Sequence, residues 1–415
     1  MNVLILGSGA REHALAWKLG QSPLTERLVC APGNPGTAQV AQNAAVQADD
    51  PAGVVQLARD QRIDLVVIGP EGPLVAGVAD ALRRAGILAF GPSAAAARLE
   101  GSKAFAKEVM AAAHIPTARH ETFEDAAAAE AYARRQGALV VKADGLAAGK
   151  GVVVAHSAEE AVAGIRSLAG LGAAARRLVL EELLVGEEVS VIALCDGERY
   201  ALLPPARDHK RVGDGDRGPN TGGMGAFAPA LVSAQLLDEV GRTVIAPTLS
   251  ELERRGTPFQ GALYAGLMLT SAGPRVLEYN VRFGDPETQA LMLQVEEDLL
   301  PWLAACASGK LEPGALRSAR GASVGVVLAA EGYPQRPRLG DPIEGLGRGS
   351  DAVVFHAGTL DQDGQVLTSG GRVLTVCARG DSLERARQKA YAAVNGISFR
   401  GMHYRSDIGA RRAIT

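Results

Sequence analysis

Cysteine is scarce. Cys30, Cys195, Cys306 and Cys377 are scattered through 415 residues, with no CxxC or other metal-ligand spacing, which excludes a disulfide framework and leaves reduced thiols of a cytosolic protein. No apolar run approaches the roughly 20 residues of a membrane span. No basic stretch precedes the first strand, Asn2-Val-Leu-Ile-Leu6, so a soluble, cytoplasmic protein is expected, with no membrane partner. Positive charge is not in excess: 43 Lys+Arg stand against 46 Asp+Glu, a net charge of −3. That argues against a nucleic-acid-binding surface, while local basic clusters still leave room for an anionic substrate. Internal repeats are absent, and low complexity goes no further than alanine enrichment. What is present, 47% hydrophobic and 21% charged residues, is the composition of a globular chain. At about 100–200 residues per domain it holds two to four domains.

Residues 1 to about 100 alternate strand and helix. Strands are expected at Val3–Leu6, Arg27–Cys30, Asp64–Ile68 and Ile87–Phe90, with helices around Ala14–Leu19 and after Leu74 as far as Ala85. Helical crossovers imply a parallel α/β sheet with ligand loops at the carboxyl ends of its strands. Gly7–His13, Ala31–Thr37 and Gly69–Leu74 all lie at that end. Gly7 and Gly9 begin a G-x-G-x-x-G pattern, but Glu12 takes the third glycine's place, and no strand ends in an acidic residue about 20 positions on. A dinucleotide site is therefore rejected. A tight turn presenting backbone N–H groups to a phosphate, with Arg11 adding charge, is the reading that remains.

Residues 93–113 read as one Ala-rich helix carrying Glu100-Gly-Ser-Lys103. Thr122-Phe-Glu-Asp125 resembles a capping box for a helix at Ala126–Arg135, and Ser157-Ala-Glu-Glu160 opens another. Between them runs a strand, a Gly-rich loop and a second strand, Leu139 to Ala155. Gly145, Gly149 and Gly151 leave the loop open for backbone approach to phosphates, and Lys142 and Lys150 supply charge. It is not a Walker A loop: Gly151 stands where Ser or Thr is required, and a strand follows where a helix should. Next come the strand at Leu178, an acidic turn through Glu181, Glu182, Glu187 and Glu188, and a strand to Leu194. Glu182 and Glu187 read as a solvated edge. The segment Arg207–Gly225 lacks apolar periodicity and is too long and too charged for an idle connector. Residues 231–256 form an amphipathic helix.

Val276-Leu-Glu-Tyr-Asn-Val-Arg282 alternates like a strand, which puts Val276, Glu278, Asn280 and Arg282 on one face. Carboxylate and amide oxygens one strand step apart suit a hard cation such as Mg²⁺; a polar, solvated strand face is the alternative. Gly261–Thr270 is the expected partner strand and Thr288–Leu303 the following helix. From about residue 321 an α+β module is expected, with strands Ser323–Ala329, Asp351–His356 and Arg372–Cys377, a turn at Asp361–Gly364, and a helix at Leu383–Val394.

Taken together, GSGAREHA, APGNPGT, GPEGPL, LEGSK, VVKADGLAAGKGV, EELLVGEEVS, RDHKRVGDGDRGPNTGGMGAF, LEYNVRFGDPETQ and GMHYRSDIG resemble, nearly end to end, the ATP-grasp ligases. Within them they resemble the glycinamide ribonucleotide synthetases (phosphoribosylamine–glycine ligases). The resemblance implies an N-terminal pre-ATP-grasp domain (1–102), a central ATP-grasp domain (103–116 and 191–320), a mobile lid (117–190) and a C-terminal domain (321–415). It implies ATP, glycine and 5-phosphoribosylamine as substrates, Mg²⁺ or Mn²⁺ as cofactor, a monomer, and a place in purine biosynthesis. Lys103 and Lys142 would contact the nucleotide phosphates from opposite sides, with Gly145, Gly149, Lys150 and Gly151 in the covering loop. Glu181 and the Leu183 backbone would face adenine with Glu182 beside them, and Glu188 would meet the ribose. Glu278 and Asn280 would hold the metal. Arg282, Lys210 and Asp208 would be the catalytic groups.

Substrate contacts would come from Gly9, Arg11, Glu12, Pro70, Glu71, Asp208, Asn220, Gly222, Gly223, Arg282, Gly284, Asp285 and Glu287. Many ATP-grasp enzymes carry a further acidic metal ligand on the preceding strand, but Gly261–Thr270 has no carboxylate. A glycyl phosphate intermediate is implied and no covalent enzyme intermediate, in keeping with the lack of a Ser/His/Asp or Cys/His arrangement. An ATP-grasp enzyme acting on bicarbonate and a non-catalytic nucleotide-binding protein are the rival readings.

Overall fold

In the computed structural model, which describes residues 1–147, 151–347 and 351–410, the first hundred residues wind a parallel sheet. Its five strands run Gln42–Asn43, Arg27–Pro32, Asn2–Gly7, Leu65–Ile68, Leu88–Phe90. The apolar runs Val3–Leu6 and Leu65–Ile68 are buried on both faces, as parallel strands are. Helix Ala10–Leu19 starts earlier than its apolar spacing suggested, with Gly9 as N-cap, so Arg11, Glu12 and His13 fall in its first turn. Glu71–Val75 likewise turns helical inside the expected Gly69–Leu74 loop. Helix Pro51–Asp60 escaped the sequence reading although it carries a start signal: Asp50 accepts the Ala52 N–H, and Pro51 takes the first position.

Residues 93–113, expected as one helix, are two. Ser102 is extended, ends Ala94–Gly101 and caps Lys103–Ala112 by accepting the Phe105 N–H. Lys103 thereby becomes the first residue of a helix instead of a mid-helix charge. The helix expected over Thr288–Leu303 is also broken, into Glu287–Gln294 and Leu299–Ala307, the second capped by Asp298.

A separate antiparallel sheet follows, in the order His120–Phe123, Leu178–Glu182, Leu139–Ala143, Val152–Ala155, with helices Ala126–Gln136 and Ala158–Ala169. Asp125, not Thr122, caps the first helix, because Thr122 is already committed to a strand. Ser157 caps the second as expected. The apolar residues of this unit, from Ala129 to Leu180, make a core of their own. The two remaining clusters each mix N-terminal, central and C-terminal residues, such as Val3 with Ile192 and Phe355.

The central sheet runs Gly273–Asn280, Phe259–Thr270, Glu187–Gly197, Tyr200–Leu202, Gly314–Ala315. The segment expected as a long loop is a strand, a hairpin and a strand. Arg207–Asp208 pairs with Gly225–Ala228, which in turn pairs with Ala322–Ala329. Arg211–Gly213 and Arg217–Asn220 form a two-stranded hairpin between them. The last large sheet, Arg207–Asp208, Gly225–Ala228, Ala322–Ala329, Arg372–Gly380, Ala352–His356, therefore draws strands from both sides of residue 320. Among the described residues no helix is long and apolar enough to cross a membrane.

Candidate active site

Strand Gly273–Asn280 carries a bulge. Gly266 stands opposite Glu278 and Leu267 opposite Val276, which leaves Leu277 without a partner. The alternation expected from the sequence is broken there. Val276 enters the core with Tyr279 and Val281, away from Glu278, while Leu277, Glu278, Asn280 and Arg282 border a cleft of about 820 Å³.

Opposing charges converge on this wall. Lys210 Nζ lies 3.4 Å from Glu278 Oε1 and 3.1 Å from Glu188 Oε2. Lys210 holds the Glu278 carboxyl down at about 2; burial opposes this, and Lys142 and Lys103 reinforce it. Burial alone would lower the Lys210 ammonium, but Glu188, Glu278 and Asp208 outweigh it and hold the group well above its ordinary value. Asp208 moves the other way: burial pushes its carboxyl well up, against the pull of Lys210. Lys210 is fixed through its backbone, since the Thr221 N–H and hydroxyl both donate to its carbonyl at 2.8 Å.

A second group of charges lies along the seam between the Ala129–Leu180 unit and the rest. Lys142 Nζ donates to the Leu277 carbonyl at 2.8 Å and stands 2.9 Å from Glu181 Oε1. Lys107 Nζ stands 3.1 Å from Glu181 Oε2 and donates to Thr117 Oγ1. Burial first, opposed by Glu181, pushes the Lys107 ammonium down to about 8. Glu181 Oε1 is buried with no aligned hydrogen-bond donor, although Lys142 Nζ stands close by, and the residue lines the cleft.

Asp144 joins the same seam. Its Oδ1 accepts the Ala104 N–H and the Ser102 hydroxyl, both at 2.8 Å, while Arg177 donates to Oδ2. Lys103, beside it, also lines the cleft, and burial lowers its ammonium. Gly145 packs so closely that a Cβ there would lie 2.9 Å from Ala174 Cα. Glu182, with Arg119 on its carboxylate, and Leu183 line the mouth. Gly151 lines the cleft; Gly149 and Lys150 lie outside the described residues.

Arg282 is surrounded by acceptors: Glu100 Oε1 at 3.0 Å, Asn280 Oδ1 at 3.2 Å, Glu71 Oε2 at 3.3 Å and the Phe283 carbonyl at 3.2 Å. Glu100 also accepts the Val281 N–H. Arg11, Pro70 and Glu71 line the cleft, whereas Gly9 and Glu12 sit behind it. The Gly9 N–H, expected to face a phosphate, donates to Glu12 Oε2 at 2.7 Å, and Arg11 donates to Glu12 Oε1 at 2.6 Å.

Asn220, Gly222, Asp285 and Glu287 line the cleft from the far side, with Gly223 and Gly284 behind them. Gly223 has φ +108°, and a Cβ there would meet Pro286 at 2.4 Å. Arg372 donates to Asp285 Oδ2 at 2.9 Å, Ser190 to Glu287 Oε1 at 2.9 Å, and the Gly222 N–H to the Tyr333 hydroxyl at 3.0 Å. Sequence reasoning missed Lys107, Glu100, Asp144, Tyr333 and Arg372. Lys107 and Glu100 had a faint signal in their spacing around Lys103, and Asp144 lay between Lys142 and Gly145 in a motif already singled out; the other two had none.

Among the described residues there is no group of three or more His, Cys, Asp or Glu suited to a metal. Glu278 and Asn280 offer one ionised carboxylate and one amide oxygen. That set fits Mg²⁺ bound together with phosphates, because this ion takes one or two carboxylates and leaves its other positions to phosphate and water.

Three family models match the chain: the phosphoribosylglycinamide synthetase N domain over residues 1–100, its ATP-grasp (A) domain over 101–288 and its C domain over 323–411. The phosphoribosylamine–glycine ligase of Brucella melitensis is 50% identical over 99% of this chain and 98% of its own length. The crystal structure of the Thermotoga maritima phosphoribosylamine–glycine ligase superposes with a TM-score of 0.86 at 35% identity, covering 98% of this chain and all of that one. The biotin carboxylase domain of Hydrogenobacter thermophilus 2-oxoglutarate carboxylase shares the fold, with a TM-score of 0.75 at 19% identity over 97% of this chain and 91% of that one.

Proposed function

The chain belongs to the phosphoribosylglycinamide synthetase family, the phosphoribosylamine–glycine ligases of purine biosynthesis, and from that premise we propose how its residues divide the work. The reaction joins glycine to 5-phosphoribosylamine as ATP is converted to ADP and phosphate. A carboxylate resists amine attack because oxide is a poor leaving group. The glycine carboxylate oxygen therefore attacks the γ-phosphorus of ATP, ADP departs, and glycyl phosphate forms. The sugar amine then attacks the carbonyl carbon, phosphate leaves, and the amine gives up a proton. Aligning charged groups is the main demand of the first step.

The observation that carries this reading is the convergence of Lys103, Lys142 and Lys210 on Glu278, with Arg282 lining the same cleft. Lys103 and Lys142 hold the phosphates. Glu181 faces adenine, and Glu188 the ribose. Glu278 and Asn280 hold Mg²⁺ or Mn²⁺, which when bound would offset phosphate charge during transfer. Arg282 faces the glycine carboxylate or the transferred phosphoryl. Asp208, which lines the same cleft, takes the amine's proton. The lid and the 207–225 segment keep water from glycyl phosphate. Pro70, Glu71, Asp285 and Glu287 surround the phosphoribosylamine, and the protein works as a monomer.

An ADP-release assay with phosphoribosylamine generated in situ, omitting each substrate in turn, tests the reading. ADP formation that requires glycine supports it. Release supported equally by bicarbonate would overturn it.

A further inference from the structure

The C-terminal motif His403-Tyr-Arg-Ser-Asp407 has no part in the chemistry above, yet it holds one of the few large polar side chains with no exposure, Arg405. The guanidinium is fully engaged. Nε and Nη2 each donate to Asp407 at 2.7 Å, and Nη1 donates to the Arg211 carbonyl at 3.0 Å and to Asp216 Oδ1 at 2.8 Å. Its neighbours reach the same place. Asp214 Oδ1 accepts the Ser406 N–H at 2.8 Å and Oδ2 the Ser406 hydroxyl; Asp407 Oδ2 accepts the Gly215 N–H at 2.9 Å; His403 Nε2 donates to the Val212 carbonyl at 2.8 Å. The segment is itself anchored, since the Tyr391 hydroxyl donates to the Arg405 carbonyl and the His403 N–H to Ala329.

The contacts to Arg211, Val212, Asp214, Gly215 and Asp216 all fall on hairpin Arg211–Gly213/Arg217–Asn220 and its turn. Among the described residues its two strands pair with no third strand, and an isolated two-stranded hairpin is marginally stable in water. Its base carries Lys210, which meets Glu278 and Glu188, and Asn220, which lines the cleft. We infer that the tail His403–Asp407 is a positioning element for the reaction: Arg405 and Ser406 clamp the hairpin tip and so fix where Lys210 and Asn220 stand in the cleft. The inference rests on the reading of Lys210 as a group acting in that site.

The test compares Asp214→Ala, at an exposed position, with Arg405→Lys, which keeps the charge but loses the planar fork, and with Lys210→Met. Hydrogen exchange across residues 211–220, Tm, and kcat and KM for each substrate are measured in the full-length protein. Asp214→Ala should speed exchange in the hairpin roughly tenfold, as expected for loss of charge-assisted bonds. It should lower kcat roughly tenfold by misplacing groups at the hairpin base, with KM for ATP and Tm nearly unchanged. Arg405→Lys should lower kcat further; if it fails to fold, Asp214→Ala decides. A mobile hairpin with normal kcat, or a reduced kcat with a fully protected hairpin, would overturn the inference. Normal turnover of Lys210→Met would instead remove the reading of the site on which it rests.

Discussion

Glu181→Gln keeps the shape of the side chain and removes the charge that faces Lys107 across the seam at 3.1 Å and Lys142 within the lid sheet at 2.9 Å. Two buried ammonium groups then lose their nearest counter-charge, with Glu182 still acting on Lys107 and Glu278 on Lys142. Removing one partner of a buried pair costs about 3–5 kcal/mol. Lys107 keeps Thr117 and Lys142 keeps the Leu277 carbonyl, so the expected loss is at the lower end, about 3 kcal/mol, or roughly a hundredfold in an equilibrium constant. The Lys107 part should fall on docking of the lid, because Lys107 belongs to helix Lys103–Ala112 and Glu181 to lid strand Leu178–Glu182, while the Lys142 part falls within the lid sheet.

The deficit should depend on pH. The Lys107 ammonium is depressed to about 8 from 10.5, by burial first, with Glu181 opposing. Between those values the unfolded chain binds more protons than the folded one. Wild-type stability therefore rises through that window as the penalty of a buried ammonium is relieved. Without Glu181 the relief starts at lower pH, so the gap to wild type should narrow between pH 7 and pH 9. Urea unfolding at both pH values, with hydrogen exchange read along Leu178–Glu182, measures it. A loss under about 1 kcal/mol at pH 7, or one unchanged at pH 9, would refute the reasoning.

Glu278→Gln should fold normally yet lose nearly all ADP formation, with partial recovery at high Mg²⁺; near-normal turnover at ordinary Mg²⁺ would remove the metal assignment. Asp144→Ala frees the Ala104 N–H and the Arg177 guanidinium. It should cost about 1–2 kcal/mol as a lost helix cap and raise KM for ATP, which steady-state kinetics with chemical denaturation would check. His13 and His356 are buried where the helix Ala10–Leu19 meets the strand Ala352–His356, and the His356 N–H donates to His13 Nδ1. Burial, with His356 adding to it for His13, lowers the two imidazoles to about 3 and about 4. Stability that is complete above the ordinary value of 6.5 should drain away as pH falls from there toward 4. An acid titration followed by circular dichroism should show it, and His13→Asn should move it to lower pH.

The parallel sheet, the lid and the C-terminal module were legible because apolar runs, Gly-rich turns and capping residues are local signals. The bulge at Leu277 was not, because it is a property of the pairing with Gly266 and Leu267. Period-two counting therefore assigned Val276 to the wrong face. Ser102 looks like one more polar residue in a helical run until Asp144 arrives from the lid to complete its surroundings. Lys103, Lys142, Lys210, Glu278 and Arg282 were nameable from motif and resemblance, but which of the named residues pair with which was not. Glu100, Tyr333 and Arg372 enter the cleft only through tertiary folding. Asn280 was placed beside a metal, and the structure adds that its amide oxygen also accepts from Arg282.

The sheet that supports the 207–225 segment has a consequence for the growing chain. Gly225–Ala228 finds its second neighbour only in Ala322–Ala329, and the hairpin finds its clamp only at residues 403–407. A ribosome has therefore delivered the lysines, the lid and the Glu278 strand long before the wall carrying Lys210 is fastened. The nascent protein can shape a nucleotide pocket early, but competence for the ligation should come later, as a step set by the emergence of residues 403–407.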